Sequence, residues 1–283
     1  MAVRGAPSAR RVRLGTELRK LRERAGMSVT EAARMLGTVQ AQISNMESSR
    51  YGVSAERVRT LARNYSCTDQ RLIEALVEMA TEGKTGWWDQ YREILPSGLL
   101  DLAELEYHAV HLRSAYTAHV PGLLQTAEHA REVFRQVVPP LSPPEVEHRV
   151  SHRVKRQEVL YRSPPTPYDS IVHEAALRVQ WGGAQGMRRQ LQHLLEMSGH
   201  EHVTVRVIPF SAGAYPGSGQ SVCYARGPVP ELDTVQLDQS HGPVFLHARA
   251  QLDKYRMLFE HMEAAALAPE KSRDFIRRLL REE

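Results

Sequence analysis

Apolar residues recur at helical spacing through the first eighty positions, broken at intervals by capping and turn residues. Leu14, Leu18 and Leu21 share one face, with Arg19, Lys20, Arg22 and Arg24 between them, and predict an amphipathic first helix. Gly26 ends it as a left-handed C-cap. Ser28, with Glu31 three residues on, forms a capping box for a second helix running to about Leu36, and Gly37 supplies a turn. A third helix is expected over about 39–48. Ser54 caps a fourth, with Val58, Leu61 and Ala62 inward, and Thr68 caps a fifth that runs to about Ala80. Five short helices with one apolar face each predict a compact all-α domain over residues 14–80.

The pattern then changes. TEGKTGWWDQY breaks the periodicity, so 81–97 reads as a linker whose paired Trp87 and Trp88 anchor it to a neighbouring core. Residues 98–283 mix both periods. Helical patterns occur near 98–110, 122–137, 144–161, 184–198, 248–266 and 270–282. Strand-like runs occupy 111–120, 168–174, 202–210, 220–226 and 232–238, with a short PVFLH at 243–247. The Gly- and Ser-rich stretch 211–219 separates two of them as a loop. The last of these runs lie close together in the chain and predict an antiparallel meander. The chain is therefore expected to be multidomain, an all-α domain followed by an α+β domain with an antiparallel sheet.

Charge sharpens the division. Residues 1–65 hold 13 Arg and Lys against 5 Glu, a net of +8; the whole chain is +4, which leaves −4 on the remainder. A basic first third on a slightly acidic remainder suggests one domain that faces nucleic acid. Residues 1–13 read as a basic arm, in which Arg10, Arg11 and Arg13 either follow a DNA backbone, enter a minor groove or form a free tail. No apolar run is long enough to cross a bilayer, and the basic N-terminus lacks the apolar stretch of a secretory signal. Two distant cysteines, Cys67 and Cys223, make no motif. A cytoplasmic, nucleoid-associated protein without a membrane partner is expected.

The second and third helices form a helix-turn-helix pattern, which places its second helix in the DNA major groove. With Val39 at the origin and 100° per residue, Ile43 and Met46 fall beside Val39 on the packed side. Gln40, Ala41, Ser44 and Asn45 fall outward. Gln and Asn can bond adenine N6 and N7 in pairs, and Ala and Thr methyls suit thymine. Gln40 and Asn45 are thus expected to read A·T pairs. Thr38, Ser44 and Arg50 are placed for phosphates or groove edges. Glu47 lies nearer the packed side and reads as a structural hydrogen-bonding residue.

The stretch LGTELRKLRERAGMSVTEAARMLGTVQAQISNMESSRYGVS resembles the Xre-type, phage-repressor-like helix-turn-helix. Val39 stands where that family usually carries a capping Ser or Thr. Further on, GWWDQY, HVPGLLQTAEHAR, RVSHRVKRQEVL, HEAALR, VTVRVIPFSAGAYPG and AAALAPEKSRDFIRRL resemble an actinobacterial family of Scr-type, toxin–antitoxin-like transcriptional regulators. That resemblance implies double-stranded DNA as a partner and a small partner protein encoded by an adjacent gene. A two-fold DNA site implies a homodimer.

Other chemistry is thinner. His148 and His152 stand four apart with Glu145 before them, but without the internal Glu of a zinc-protease helix. GGAQG at 182–186 lacks the lysine of a phosphate loop and reads as a helix-entry turn. His173, Glu174 and Tyr215 are the candidates for an effector pocket, against a packing role for the same residues. The chain is expected to be a sequence-specific DNA-binding transcriptional regulator, not an enzyme, with no cofactor and no metal, modulated through its second domain by a ligand or a small protein. The alternative is an antitoxin-like protein that neutralises a small partner and autoregulates its operon.

Overall fold

The computed structural model describes residues 7–81, 86–217, 219–240 and 242–282. They form two compact units that divide between Gln90 and Tyr91. Among the described residues no helix is long and apolar enough to cross a membrane.

The first unit is five helices: α1 (Ala9–Arg24), α2 (Val29–Met35), α3 (Gln40–Glu47), α4 (Ala55–Asn64) and α5 (Gln70–Thr81). Leu14, Leu18, Ile43, Val58, Leu61 and Leu76 are its buried centre. Two boundaries differ from the pattern-based reading. The Ser8 hydroxyl accepts from the Arg11 N–H and starts α1 at Ala9, so Arg10, Arg11 and Arg13 lie on a helix and do not form an arm. Arg13 is only 6% exposed and donates to Glu17 one turn on, at 2.7 Å. Residues 1–6 of the expected arm lie outside the described residues. At α5 the cap is Asp69, which accepts from the Leu72 N–H at 3.0 Å, and not Thr68.

Residues 82–85 of the expected linker also lie outside the described residues. The segment after them has local order: Trp87–Tyr91 is a 3-10 turn, closed by the Gly86 N–H donating to Asp89 at 3.0 Å. The Trp87 and Trp88 rings meet edge to face, 5.8 Å apart.

The second unit is built on a six-stranded sheet of β1 (His111–Tyr116), β2 (Tyr168–His173), β3 (Val203–Ile208), β4 (Val222–Arg226), β5 (Thr234–Leu237) and β6 (Val244–Leu246), in the order β3-β2-β1-β4-β5-β6. It is mixed, which corrects the antiparallel expectation. β1, β2 and β3 pair in parallel, whereas β4, β5 and β6 pair antiparallel to their neighbours. The cause is visible in the connections. A parallel neighbour needs a crossover of a dozen residues or more, usually helical. Between β1 and β2 run α7 (Ala127–Arg135) and α8 (Pro143–Arg156), after α6 (Ser97–His108) has led into β1. Between β2 and β3 run α9 (Glu174–Arg178) and α10 (Gly183–Met197). β3 therefore does not join the meander that comes after it in sequence; the chain passes β2 and β1 before pairing again as β4.

Alternation along the strands fills two faces. Leu112, Tyr168, Val172, Val203, Val205 and Val207 pack with Met187, Leu191 and Leu194 of α10 and with Phe275, Ile276 and Leu279 of α12 (Pro269–Glu282). Ala115, Ile171, Val222, Tyr224 and Val235 face Leu252, Tyr255 and Phe259 of α11 (Arg249–Ala265). The sheet is a middle layer between helices, with apolar side chains on both of its faces. At its β3 edge the Val207 N–H donates to the Ser272 hydroxyl at 2.9 Å, and the Val207 carbonyl accepts from the Leu267 N–H at 2.8 Å. Arg156 of α8 clasps Glu106 of α6 in a buried two-point pair, at 2.6 and 2.7 Å.

Two imidazoles in this unit are almost wholly buried, His129 of α7 and His152 of α8. Burial, with nearby positive charge adding to it, pulls His129 down to about 4 and His152 down to about 3. The unfolded chain protonates such residues near ~6.5. Below that pH it binds protons that the fold refuses, so stability contributed by the neutral rings is present above ~6.5 and is lost as pH falls toward about 4. Urea midpoints measured from pH 7 to pH 4.5 are expected to fall steadily. His129→Gln should flatten that slope by up to ~1.4 kcal/mol per pH unit; an unchanged slope would mean that His129 protonates freely in the fold.

Candidate nucleic-acid interface

Short helices need help at their ends, and α2 receives it at both. The Ser28 hydroxyl accepts from the Glu31 N–H at 3.2 Å, and the Glu31 carboxylate accepts from the Ser28 N–H at 2.8 Å. Contacts with Ser28 hold the Glu31 carboxyl below its usual range. At the other end Gly37 turns at φ +67°, a conformation that only glycine adopts cheaply. The Thr38 N–H then reaches the Ala33 carbonyl at 2.9 Å and the Gly37 N–H reaches Arg34 at 3.2 Å, a Schellman closure. This turn delivers α3.

Four features fasten α3 from one side. Ile43 and Met46 are 1% and 3% exposed. Glu47 receives a fork from Arg22 of α1, Nε to Oε1 at 2.6 Å and Nη2 to Oε2 at 2.9 Å, as its expected structural role requires. Gly15 of α1 lets the helices touch: a Cβ there would lie 2.5 Å from the Glu47 carbonyl oxygen and 2.8 Å from that of Met46. Ser49, just past α3, donates its hydroxyl to the Arg11 carbonyl at 2.7 Å.

The opposite side is open. Gln40, Ala41 and Ser44 are exposed, Thr38 and Asn45 are half-buried, and Arg50 is exposed just beyond the helix. Gln40, Ala41, Ser44 and Asn45 lie on α3 itself, with Thr38 before it and Arg50 after it. Sequence reasoning missed Gln42, also exposed, whose side-chain oxygen accepts from the Thr38 hydroxyl. Its signal was its place beside Ala41, ahead of the buried Ile43. Gln40 has a long contact of 3.5 Å from the Thr30 hydroxyl of α2. Val39 corrects the wheel: it is 63% exposed and not packed with Ile43. As the N-cap its backbone is extended, at φ −93° and ψ 151°, so it lies outside the helical geometry that the wheel assumes. No side chain caps α3 there, and Thr38, tied to Gln42, does not substitute. A missing cap costs about 1 kcal/mol.

The candidate effector residues are also brought together. The His173 ring sits 5.6 Å from Tyr215 and 5.2 Å from Phe210. Its Nδ1 accepts from the Ala175 N–H at 3.2 Å and caps α9. Glu174 accepts from the Phe210 N–H at 2.8 Å and from Arg178 at 2.7 Å. These polar atoms bind one another, tying the loop after β3 to α9. The histidine pair on α8 separates: His148 is exposed, His152 is buried, and Glu145 is engaged in the cap of α8 with Ser142 at 2.8 Å. Among the described residues no three His, Cys, Asp or Glu side chains gather to hold a metal ion. Gly182 and Gly183, at φ +77° and +74°, make the turn into α10.

Both units match known protein families. Residues 13–76, from α1 into α5, match the model of a helix-turn-helix domain. Residues 99–278, from α6 into α12, match the model of a domain of unknown function, DUF5753. The chain belongs to the DUF5753 family. Its DUF5753 domain takes in all six strands, so the matched family is the mixed-sheet unit as a whole. The description carries no toxin–antitoxin attribution, and that part of the resemblance gains no support from it. No curated protein and no solved structure matches the chain.

Gly15→Ala tests how α3 is seated. Alanine is worth about 1 kcal/mol more than glycine within a helix, but its methyl would press on backbone oxygens of α3 that cannot rotate away. A net loss of about 1–3 kcal/mol is expected in urea unfolding. No loss would show that the end of α3 slides freely along α1.

Proposed function

We propose that the protein is a sequence-specific, DNA-binding transcriptional regulator that inserts α3 into the major groove. One observation carries this reading. A short helix, fastened on its inner side by Ile43, Met46 and Glu47, turns outward a row of small and amide side chains and is followed by the exposed Arg50. Gln40, at the first turn of α3, and Asn45 supply the bidentate amides that suit adenine, and the Ala41 methyl suits thymine. Thr38, Ser44 and Arg50 lie where a phosphate backbone would pass. One such helix covers about one half-site, so the active form in this reading is a homodimer on a two-fold site. The DUF5753 domain is the part through which occupancy is modulated, and the protein acts on chromosomal DNA in the cytoplasm.

The operator is found by mapping genome-wide occupancy, where discrete peaks sharing a two-fold, A·T-containing motif are expected. Gln40→Ala and Asn45→Ala should each weaken binding to that site by about 1–3 kcal/mol and relax preference at single positions. If both bind it as tightly as the parent protein, the recognition face is not this one. Arg50→Ala is expected to act differently: it should weaken all sequences alike and make the slope of log K against log salt shallower by about 0.9. An unchanged slope removes Arg50 from the phosphate contacts.

A further inference from the structure

Within the second unit, several buried polar atoms without partners occur in one neighbourhood, at the carboxyl end of β1. Tyr116 ends that strand and meets the ring of His119 edge-on at 6.5 Å. The indole of Trp181 stacks on His119, 6.0 Å away and 18° from parallel, and lies 6.2 Å from the ring of His129. His129 is 1% exposed, and neither of its ring nitrogens has a hydrogen-bond partner. Nδ1 of His119, Nε1 of Trp181 and Nε of Arg153 are buried and unpartnered too. Arg153 spreads over the Phe134 ring at 4.6 Å and donates from Nη1 to Gln125 at 2.5 Å, and its charge acts on both imidazoles. Among the described residues it has no ion-pair partner, although the exposed Asp238 is near enough to act on it.

Buried polar groups are nearly always satisfied, by the fold or by something held in it. Several without a protein partner in one place mark where a bound molecule would find donors and acceptors. The position is also the expected one. In sheets with helical crossovers, ligands bind beyond the carboxyl ends of the parallel strands, where the strand order switches. β1 is that point, with parallel β2 on one side and antiparallel β4 on the other.

We propose that Arg153, His129, His119 and Trp181 form a binding site for a small organic carboxylate with a planar body. Arg153 takes the carboxylate, Trp181 and His119 offer ring faces to the planar part, and the His129 ring and Trp181 N–H meet its remaining polar atoms. The charge favours this class over others. Arg153 is a single cation at neutral pH, and burial lowers His119 and His129 and disfavours their charged forms, which suits a monoanion better than a phosphate dianion. The guanidinium repels a metal cation.

The test is isothermal titration of the full-length protein with benzoate, and separately with inorganic phosphate. Saturable benzoate binding is expected, with a Kd on the order of 1 mM for so small a ligand. Arg153→Met should weaken it at least ~10-fold by removing a charge-assisted bond. Trp181→Phe keeps a ring and removes the N–H; it should weaken binding several-fold, and it decides the matter if Arg153→Met does not fold. No saturation by benzoate up to about ten times that Kd overturns the proposal. So does unchanged affinity in the variants. Phosphate binding tighter than benzoate overturns the carboxylate assignment.

Discussion

A single guanidinium fastens α3 to the rest of the helical unit. Arg22 projects from α1, forks onto the Glu47 carboxylate at the end of α3, and donates from Nη1 to the Met27 carbonyl in the turn before α2, at 2.7 Å. It thereby joins α1, the turn before α2 and the end of α3 through one side chain. The pair is largely buried on both sides, so neither charge can fall back on water. Breaking such a pair costs more than never having made it. An eight-residue helix does not sustain itself in isolation, and α3 lacks a side-chain cap. The face that α3 shows to solvent depends on how Arg22 and Gly15 seat its inner side.

The second unit sets two arginines three positions apart on α8 in opposite circumstances. Burial works against both charges. For Arg156 the Glu106 carboxylate outweighs burial and holds the guanidinium above its usual range. For Arg153 no carboxylate closes on it, Arg156 adds repulsion, and it is drawn down to about 10. It still carries its charge at neutral pH. One helix thus carries a saturated structural pair and an unsaturated cation within a single turn.

Much of the helical unit is legible in the chain because its signals are local. Ser28 with Glu31, the glycines at 26 and 37, and the apolar spacing of α1 and α4 each act within a few residues, and the structure places caps and turns there. Val39 departs from its expected place for a local reason as well: a wheel started on a capping residue treats extended backbone as helix. The sheet is less legible. Six strand-like runs are visible, but pairing depends on where the crossovers lead, and no residue in 202–210 says that β3 turns back to β2 and not forward to β4. The site around His129 is hidden for the same reason. Its members come from the end of β1, from α7, from α8 and from the turn before α10, far apart in sequence and without a shared motif.

The β3 edge has a consequence for self-association. An open strand edge offers unpaired N–H and C=O groups as a template for another strand. Here both backbone groups of Val207 are already engaged, its N–H by the Ser272 hydroxyl and its carbonyl by the Leu267 N–H. A second copy arriving at this point finds no donor and no acceptor to continue the ladder. The ladder is blocked at Val207, so a strand from another molecule could not run along the whole of β3.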